Sequence, residues 1–148
     1  MEHHDAGARR HWLAVLAKAQ LAELEPFAAT LALPALQWLR RPETGLMMVR
    51  ARTGGSGAQF NLGEVSVTRC AVQDDEGRLG VGYVQGRSAR HAELVALFDL
   101  LLQHDMHRPD LWRSLIVPLA ARQAAARSAA SGKAAATRVN FYTMARGD

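Results

Sequence analysis

The feature that most constrains this chain is a change of hydrophobic period at Gly86-Arg87-Ser88. Before it, from Leu36 to Tyr83, apolar side chains recur at about every second residue; after it, Leu94, Leu97, Phe98, Leu101 and Leu102 recur every third or fourth. A period of two belongs to half-buried strands and a period near 3.6 to a helix, so sheet must give way to helix at this point. Four short alternating runs are expected: 36–40, 46–52, 60–72 and 79–83. Their separators are Pro42-Glu43-Thr44-Gly45, Thr53-Gly54-Gly55-Ser56-Gly57 and Asp74-Asp75-Glu76-Gly77, all rich in turn formers. Short connections between consecutive strands favour an antiparallel meander. Gly63 marks an expected bulge or bend within the third run.

Helical spacing also appears before the sheet. Trp12, Leu13 and Leu16 suggest a helix over 8–20 capped near Asp5, and Leu24, Phe27, Ala28 and Leu31 suggest a second, with Pro26 in its first turn. The expected fold is therefore α+β: an N-terminal helical hairpin, a four-stranded antiparallel meander, then C-terminal helices. Ser88 is the expected cap of the strongest helix, with a narrow apolar stripe over 89–104, and Pro109 and Pro118 are expected helix starts. The segment 119–136 is mostly Ala, Arg, Gln and Ser, with high helix propensity but little bulk to anchor it. The apolar tail from Val139 to Met144 follows, and 119–148 is expected to pack on a partner. All 148 residues read as one domain, with 1–7 expected to be disordered.

Composition narrows the function more by exclusion. No run approaches the ~20 apolar residues that span a bilayer, and Met1-Glu2-His3-His4-Asp5 lacks the layout of a signal peptide, so a cytoplasmic location is expected. The single cysteine, Cys70, excludes an internal disulfide and sits in an apolar strand context that suits a small core filler. Of 18 basic residues only Lys18 and Lys133 are lysine, and the net charge is +4. The arginines are scattered and no nucleic-acid reader motif is present, so no nucleic-acid partner is expected. His104 and His107 share a spacing that permits a metal pair, but Asp105 and Pro109 point to a fraying helix end; no metal is expected.

Two places suit an anion. Arg52 and the glycines Gly54, Gly55 and Gly57 form a loop whose N–H groups can converge on a phosphate, although it joins strand to strand and lacks the ending of a P-loop. A plain hairpin loop fits the same residues. Gln85-Gly86-Arg87 lies at the expected start of a helix, where free N–H groups and the positive dipole end meet Arg87, with His91 one turn in. A simple serine cap beside a solvated arginine fits equally. No nucleophile–base pair or paired carboxylate stands out, so no catalytic residue is proposed from spacing.

Several motifs occur in an order and spacing that carry more than any one alone: His11-Trp12, Glu43-Thr44-Gly45-Leu46, Arg52-x-Gly54-Gly55-x-Gly57-x-x-Phe60, Thr68-Arg69, Val84-Gln85-Gly86-Arg87, His91-Ala92-Glu93 and Thr143-Met144-x-Arg146-Gly147-Asp148. Over almost the whole chain they resemble the PhnG family, the G subunit of the bacterial carbon–phosphorus lyase system. The resemblance implies an accessory subunit of a cytoplasmic core complex with the H, I and J proteins, the I subunit being the direct partner expected. It implies that, with the H, I and L proteins, the chain supports transfer of the ribose triphosphate of ATP to a phosphonate such as methylphosphonate, releasing adenine. It implies no cofactor bound by this chain alone, since the iron–sulfur chemistry of that system belongs to the J subunit. Arg52, Gly54, Gly55, Gly57, Arg69, Gln85, Gly86, Arg87 and His91 are the candidate anion- or partner-binding residues. The alternative is a stand-alone anion-binding module or small enzyme built on the Gly54 loop and Arg87.

Overall fold

The computed structural model describes the backbone of residues 3–55 and 57–146 and the side chains of residues 6–54 and 57–133. The period-two region forms one antiparallel sheet, β1 (Leu36–Arg52), β2 (Gln59–Asp74) and β3 (Leu79–Gln85), in the order β1-β2-β3. The fold is α+β, but the sheet has three strands instead of the expected four. The runs 36–40 and 46–52 are one strand, and Pro42-Glu43-Thr44-Gly45 does not turn. Pairing passes from Trp38 opposite Val72, through Arg40 opposite Ala71, to Glu43 opposite Arg69, so Arg41 and Pro42 fall in an irregularity of the ladder. Such an irregularity is possible because β1 is an edge strand, where a missing N–H can face away from the ladder. Of the bulge or bend expected at Gly63, the structure has the bulge: Val49 opposes Gly63 and Arg50 opposes Asn61, leaving Leu62 as the extra residue.

Around the sheet lie α1 (His3–Lys18), α2 (Leu21–Ala29), α3 (Ala89–Leu102), α4 (Arg108–Leu111) and α5 (Val117–Arg146). The first two do not form the packed hairpin expected of them; each rests mainly on α3. Asp5 lies within α1 instead of capping it, and Pro26 lies inside α2 instead of in its first turn. The bond that Pro26 removes is tolerated in a helix fixed from outside. Leu24 is buried, and the Glu25 carboxylate accepts two bonds from Arg90 of α3, at 2.9 and 3.1 Å. Pro109 starts α4 as expected, whereas Pro118 follows directly on a π-helical turn, Trp112–Ile116, without a break. In a regular α-turn the Pro118 ring would crowd the Ser114 carbonyl, and the wider turn ahead of it relieves that contact.

The core is built on α3, whose apolar surface is wider than a stripe. Every residue from Leu94 to Leu102 is buried, because the sheet covers one side and α1, α2 and α4 meet the helix elsewhere. Its seat on the sheet is set by glycines. A Cβ at Gly80 would stand 2.2 Å from the Ala96 carbonyl oxygen, and one at Gly82 would stand 2.0 Å from that of Ala92. The alternation Leu79-Gly80-Val81-Gly82-Tyr83 therefore puts bulk on the outer face and backbone contact on the inner one. Cys70 sits in this contact as expected of a core filler, its thiol donating to the Ala92 carbonyl at 3.1 Å.

One polar group organises the same interface. Asp99 of α3 is fully buried and accepts from Arg9 Nε (3.1 Å) and Nη2 (2.9 Å), Trp12 Nε1 (2.8 Å) and the Val81 N–H (2.9 Å). Arg9 and Gln103 also donate to the Leu79 carbonyl, at 3.1 and 2.8 Å. These bonds tie α1 and α3 to the outer edge of β3 and cover part of that edge. Hydrogen bonding to Asp99, against the cost of burial, raises the Arg9 guanidinium above its already high range.

Candidate partner-binding arm and open sheet face

The strands of this sheet differ in length, and that difference creates the candidate site. β3 pairs with β2 only between the Val67–Gln85 and Gln73–Leu79 pairs. Beyond Val67, residues 59–66 pair only with residues 46–52 of β1, so the end of the hairpin is a two-stranded ribbon. This arm ends in a 3₁₀ turn, Thr53–Gly55, where Gly54 has φ 64° and the Gly57 N–H donates to the Thr53 carbonyl at 2.8 Å. The arm carries five large apolar side chains with substantial exposure: Leu46 63%, Met47 42%, Met48 43%, Phe60 45% and Leu62 62%. Successive strand residues face opposite ways, so the exposed run Leu46-Met47-Met48 makes both faces of the ribbon apolar. Contiguous exposed apolar surface of this kind marks an interaction site, and a free two-stranded ribbon is marginal by itself.

At the root of the arm lies a half-open groove of about 420 Å³, lined by Glu43, Thr44, Gly45, Leu46, Met47, Val67, Arg69 and Tyr83. Glu43, Arg69 and Tyr83 occupy one row across the three strands on the face away from α3. Arg69 Nε approaches Glu43 Oε1 at 3.3 Å, and Arg40 pairs with the same carboxylate. Arg40 first, with Arg69 behind it, holds the Glu43 carboxyl below its ordinary range. The Tyr83 hydroxyl meets Met47 Sδ at 3.0 Å, closing the groove toward the arm.

The nine residues marked from the sequence are distributed among three places. Arg69 and Gln85 share the outer face, on adjacent rows, and Gly86 follows with φ 103°, its N–H donating to the Ser66 carbonyl at 2.7 Å. Arg87 is exposed beside them, with no hydrogen bond or ion pair among the described residues. Arg52, Gly54, Gly55 and Gly57 lie at the arm tip; from Gln59 to Val67 the strand covers about 27 Å at ~3.4 Å per residue. His91 faces a third way, its Nε2 3.0 Å from the Leu16 carbonyl of α1. The Ser88 cap is present as expected, its hydroxyl accepting from the His91 N–H at 3.1 Å. Among the described residues no group of three or more His, Cys, Asp or Glu is placed to hold a metal ion. His104 instead meets His107 edge-on and bonds to Asp74 at 3.1 Å.

Sequence reasoning missed the residues that join these parts. The Thr68 hydroxyl is buried and donates to the Gly86 carbonyl at 2.7 Å, so its contact with the Thr44 hydroxyl at 2.9 Å has Thr44 as donor. That chain fixes where β3 leaves the sheet and so where the arm begins. The apolar character of the arm was visible in three consecutive large apolar residues within an alternating segment. Asp99 was visible as a lone carboxylate amid leucines, three turns beyond the Ser88 cap. The tail motif Thr143-Met144 belongs by its backbone to α5, while its side chains, with those of Phe141 and Tyr142, lie outside the described residues.

Comparison with known proteins agrees with the motifs. Residues 7–147 match the family described as "Phosphonate metabolism protein PhnG". A protein of Rhizobium meliloti (strain 1021) named "Alpha-D-ribose 1-methylphosphonate 5-triphosphate synthase subunit PhnG" is 42% identical over 147 residues, covering 97% of this chain and 94% of that protein. No helix of the described residues is long and apolar enough to cross a membrane. On a match that spans nearly its whole length, this chain belongs to the PhnG family of phosphonate metabolism.

Proposed function

We propose that this chain is an accessory subunit of a cytoplasmic carbon–phosphorus lyase core complex, with the H, I and J proteins as partners and the I protein in direct contact. Together with the H, I and L proteins it supports the exchange of adenine in ATP for a phosphonate such as methylphosphonate. The 42% identity to a named synthase subunit over 97% of the chain carries this reading. The arm supports it physically, since its apolar faces need a covering that the described residues do not supply. The alternative module built on the Gly54 loop and Arg87 gains no support, because those groups stand at opposite ends of the arm.

The test is adenine release from ATP and methylphosphonate. The purified chain alone should release none, the mixture with the H, I and L proteins should release it, and omission of this chain should abolish it. Release by the isolated chain at the rate of the mixture would overturn the reading. Within the complex, Arg87→Ala should impair assembly or turnover more than Arg127→Ala, an exposed arginine of α5, and Arg87→Lys should restore function only in part. Arg122 is unsuitable for that comparison because it pairs with Glu23 at 3.0 Å and braces α5 on α2.

A further inference from the structure

We propose that the arm of residues 46–52 and 59–66 is the insertion element of this subunit, entering an apolar, carboxylate-rimmed cleft in a different protein of the complex. The inference rests on the accessory-subunit reading and adds which surface is used and what receives it. A flat partner surface covers one face of a ribbon. Here Leu46 and Met48 point to one side and Met47 to the other, each more than two-fifths exposed, with Phe60 and Leu62 near the tip. Only a receptor that closes on both faces removes all five from water.

Charge selects among receptors. The arm carries Arg50 and Arg52 against one carboxylate, Glu64, and the root adds Arg87, exposed and without a partner among the described residues. Arm-to-arm pairing with a second copy would set Arg50 and Arg52 against the same arginines of that copy. A different protein with carboxylates around an apolar cleft matches the arm in both respects, arginine being suited to bidentate contact with carboxylate. The edges agree. β3 turns away at Gly86 and β1 is an edge strand, so among the described residues neither strand of the arm has a third strand beside it, and the receptor is free to enclose the ribbon.

The experiment uses the full-length chain and the H, I and J proteins, with affinity read by biolayer interferometry and arm protection by hydrogen exchange. A triple variant, Leu46→Ser with Met48→Ser and Leu62→Ser, should lose affinity by about tenfold or more while melting as the wild type does. Met106→Ser, at an 89% exposed site outside the arm, should bind unchanged. Arg50→Glu with Arg52→Glu should also weaken binding, and wild-type affinity should fall as salt rises. In the wild-type complex the amides of 46–52 and 59–66 should gain protection, a readout that needs no variant to fold. Unchanged affinity of the triple variant, or no gain of arm protection, overturns the inference while leaving the subunit reading intact. So does a wild-type homodimer that the triple variant abolishes, or arm-dependent binding to vesicles of equal phosphatidylglycerol and phosphatidylcholine. Failure of the wild-type chain to bind any of the three proteins sinks the subunit reading, and the inference with it.

Discussion

The two halves of the β1–β2 hairpin share one ladder and differ in what lies on them. The half beside β3 is pressed against α3, with Cys70 and Val72 buried, and β3 next to it carries the glycines where the helix backbone touches the sheet. The half beyond Val67 has no third strand, and it keeps leucine, methionine and phenylalanine in water. Both halves are drawn from β-forming sequence. What separates them is the point at which Gly86 and Ser88 turn the chain into α3, since the helix covers only the sheet that β3 has already widened. The covered half supplies stability, and the arm is left available for recognition.

That contrast can be broken by mutation, and the covered half should respond most. Asp99→Ala removes the acceptor shared by Arg9, Trp12 and Val81 and strands the buried Trp12 N–H and the part-buried Val81 N–H, so it should cost about 3 kcal/mol in urea denaturation. A cost under ~1 kcal/mol would mean that water replaces the carboxylate and that α1 is not held through it. Gly82→Ala drives a methyl into the Ala92 carbonyl and should cost roughly 2–3 kcal/mol, by forcing α3 off the sheet. Equal tolerance of alanine at Gly82 and at Gly45, which has open space around it, would remove the distinction between the face that α3 covers and the open face.

Acid and base sharpen the comparison. Burial, with the Glu93 charge adding to it, pushes the Cys70 thiol up to about 11. A raised folded value means that its contribution to stability is complete below the unfolded thiol value of ~8.5 and fades as pH climbs toward about 11. Cys70 in the folded chain should therefore resist a thiol reagent at pH 8 and react on unfolding; rapid labelling of the native chain would contradict the packed seat. For Asp74 the sign is opposite. Burial opposes its charge, but bonds from the Arg78 N–H, His104 and the Glu76 N–H outweigh it and hold the carboxyl below its ordinary range. Its contribution should be present above about pH 4 and be lost as pH falls through the lowered value, a loss that Asp74→Asn should remove from the acid titration. The smallest effect belongs to the arm: Leu46→Ser should change the stability of the free chain by no more than about 0.5 kcal/mol. A larger loss would mean that Leu46 is covered in the isolated subunit.

Much of this was legible locally. Ser88 announced α3, Asp74-Asp75-Glu76-Gly77 announced the β2–β3 turn, and Gly63 announced the bulge, because each depends on backbone geometry within a few residues. The motifs running from His11-Trp12 to Arg146-Gly147-Asp148 carried the family resemblance. The candidate site was legible only as separate pieces. Arg69 and Gln85 do meet on one face, but the Gly54 loop stands apart at the tip and His91 faces α1, since no spacing rule says how far a hairpin outruns its neighbour.

By itself, then, the sequence determined the kinds of element, their order and most of their ends. Period, caps and turn residues act over one or two turns of chain, and they act whatever the surroundings. The tertiary structure decided what depends on neighbours far along the chain. Pro42 and Gly45 became part of a strand because β1 lies at the edge of the sheet, where an irregular ladder costs little. Gly80 and Gly82 became a helix seat because α3 lands on them. Asp99 became the buried centre of four hydrogen bonds because Arg9 and Trp12 arrive from 90 and 87 residues away. Leu46, Met48 and Leu62 stayed in water for the same non-local reason: burial needs a second surface, and α3 and β3 do not reach them.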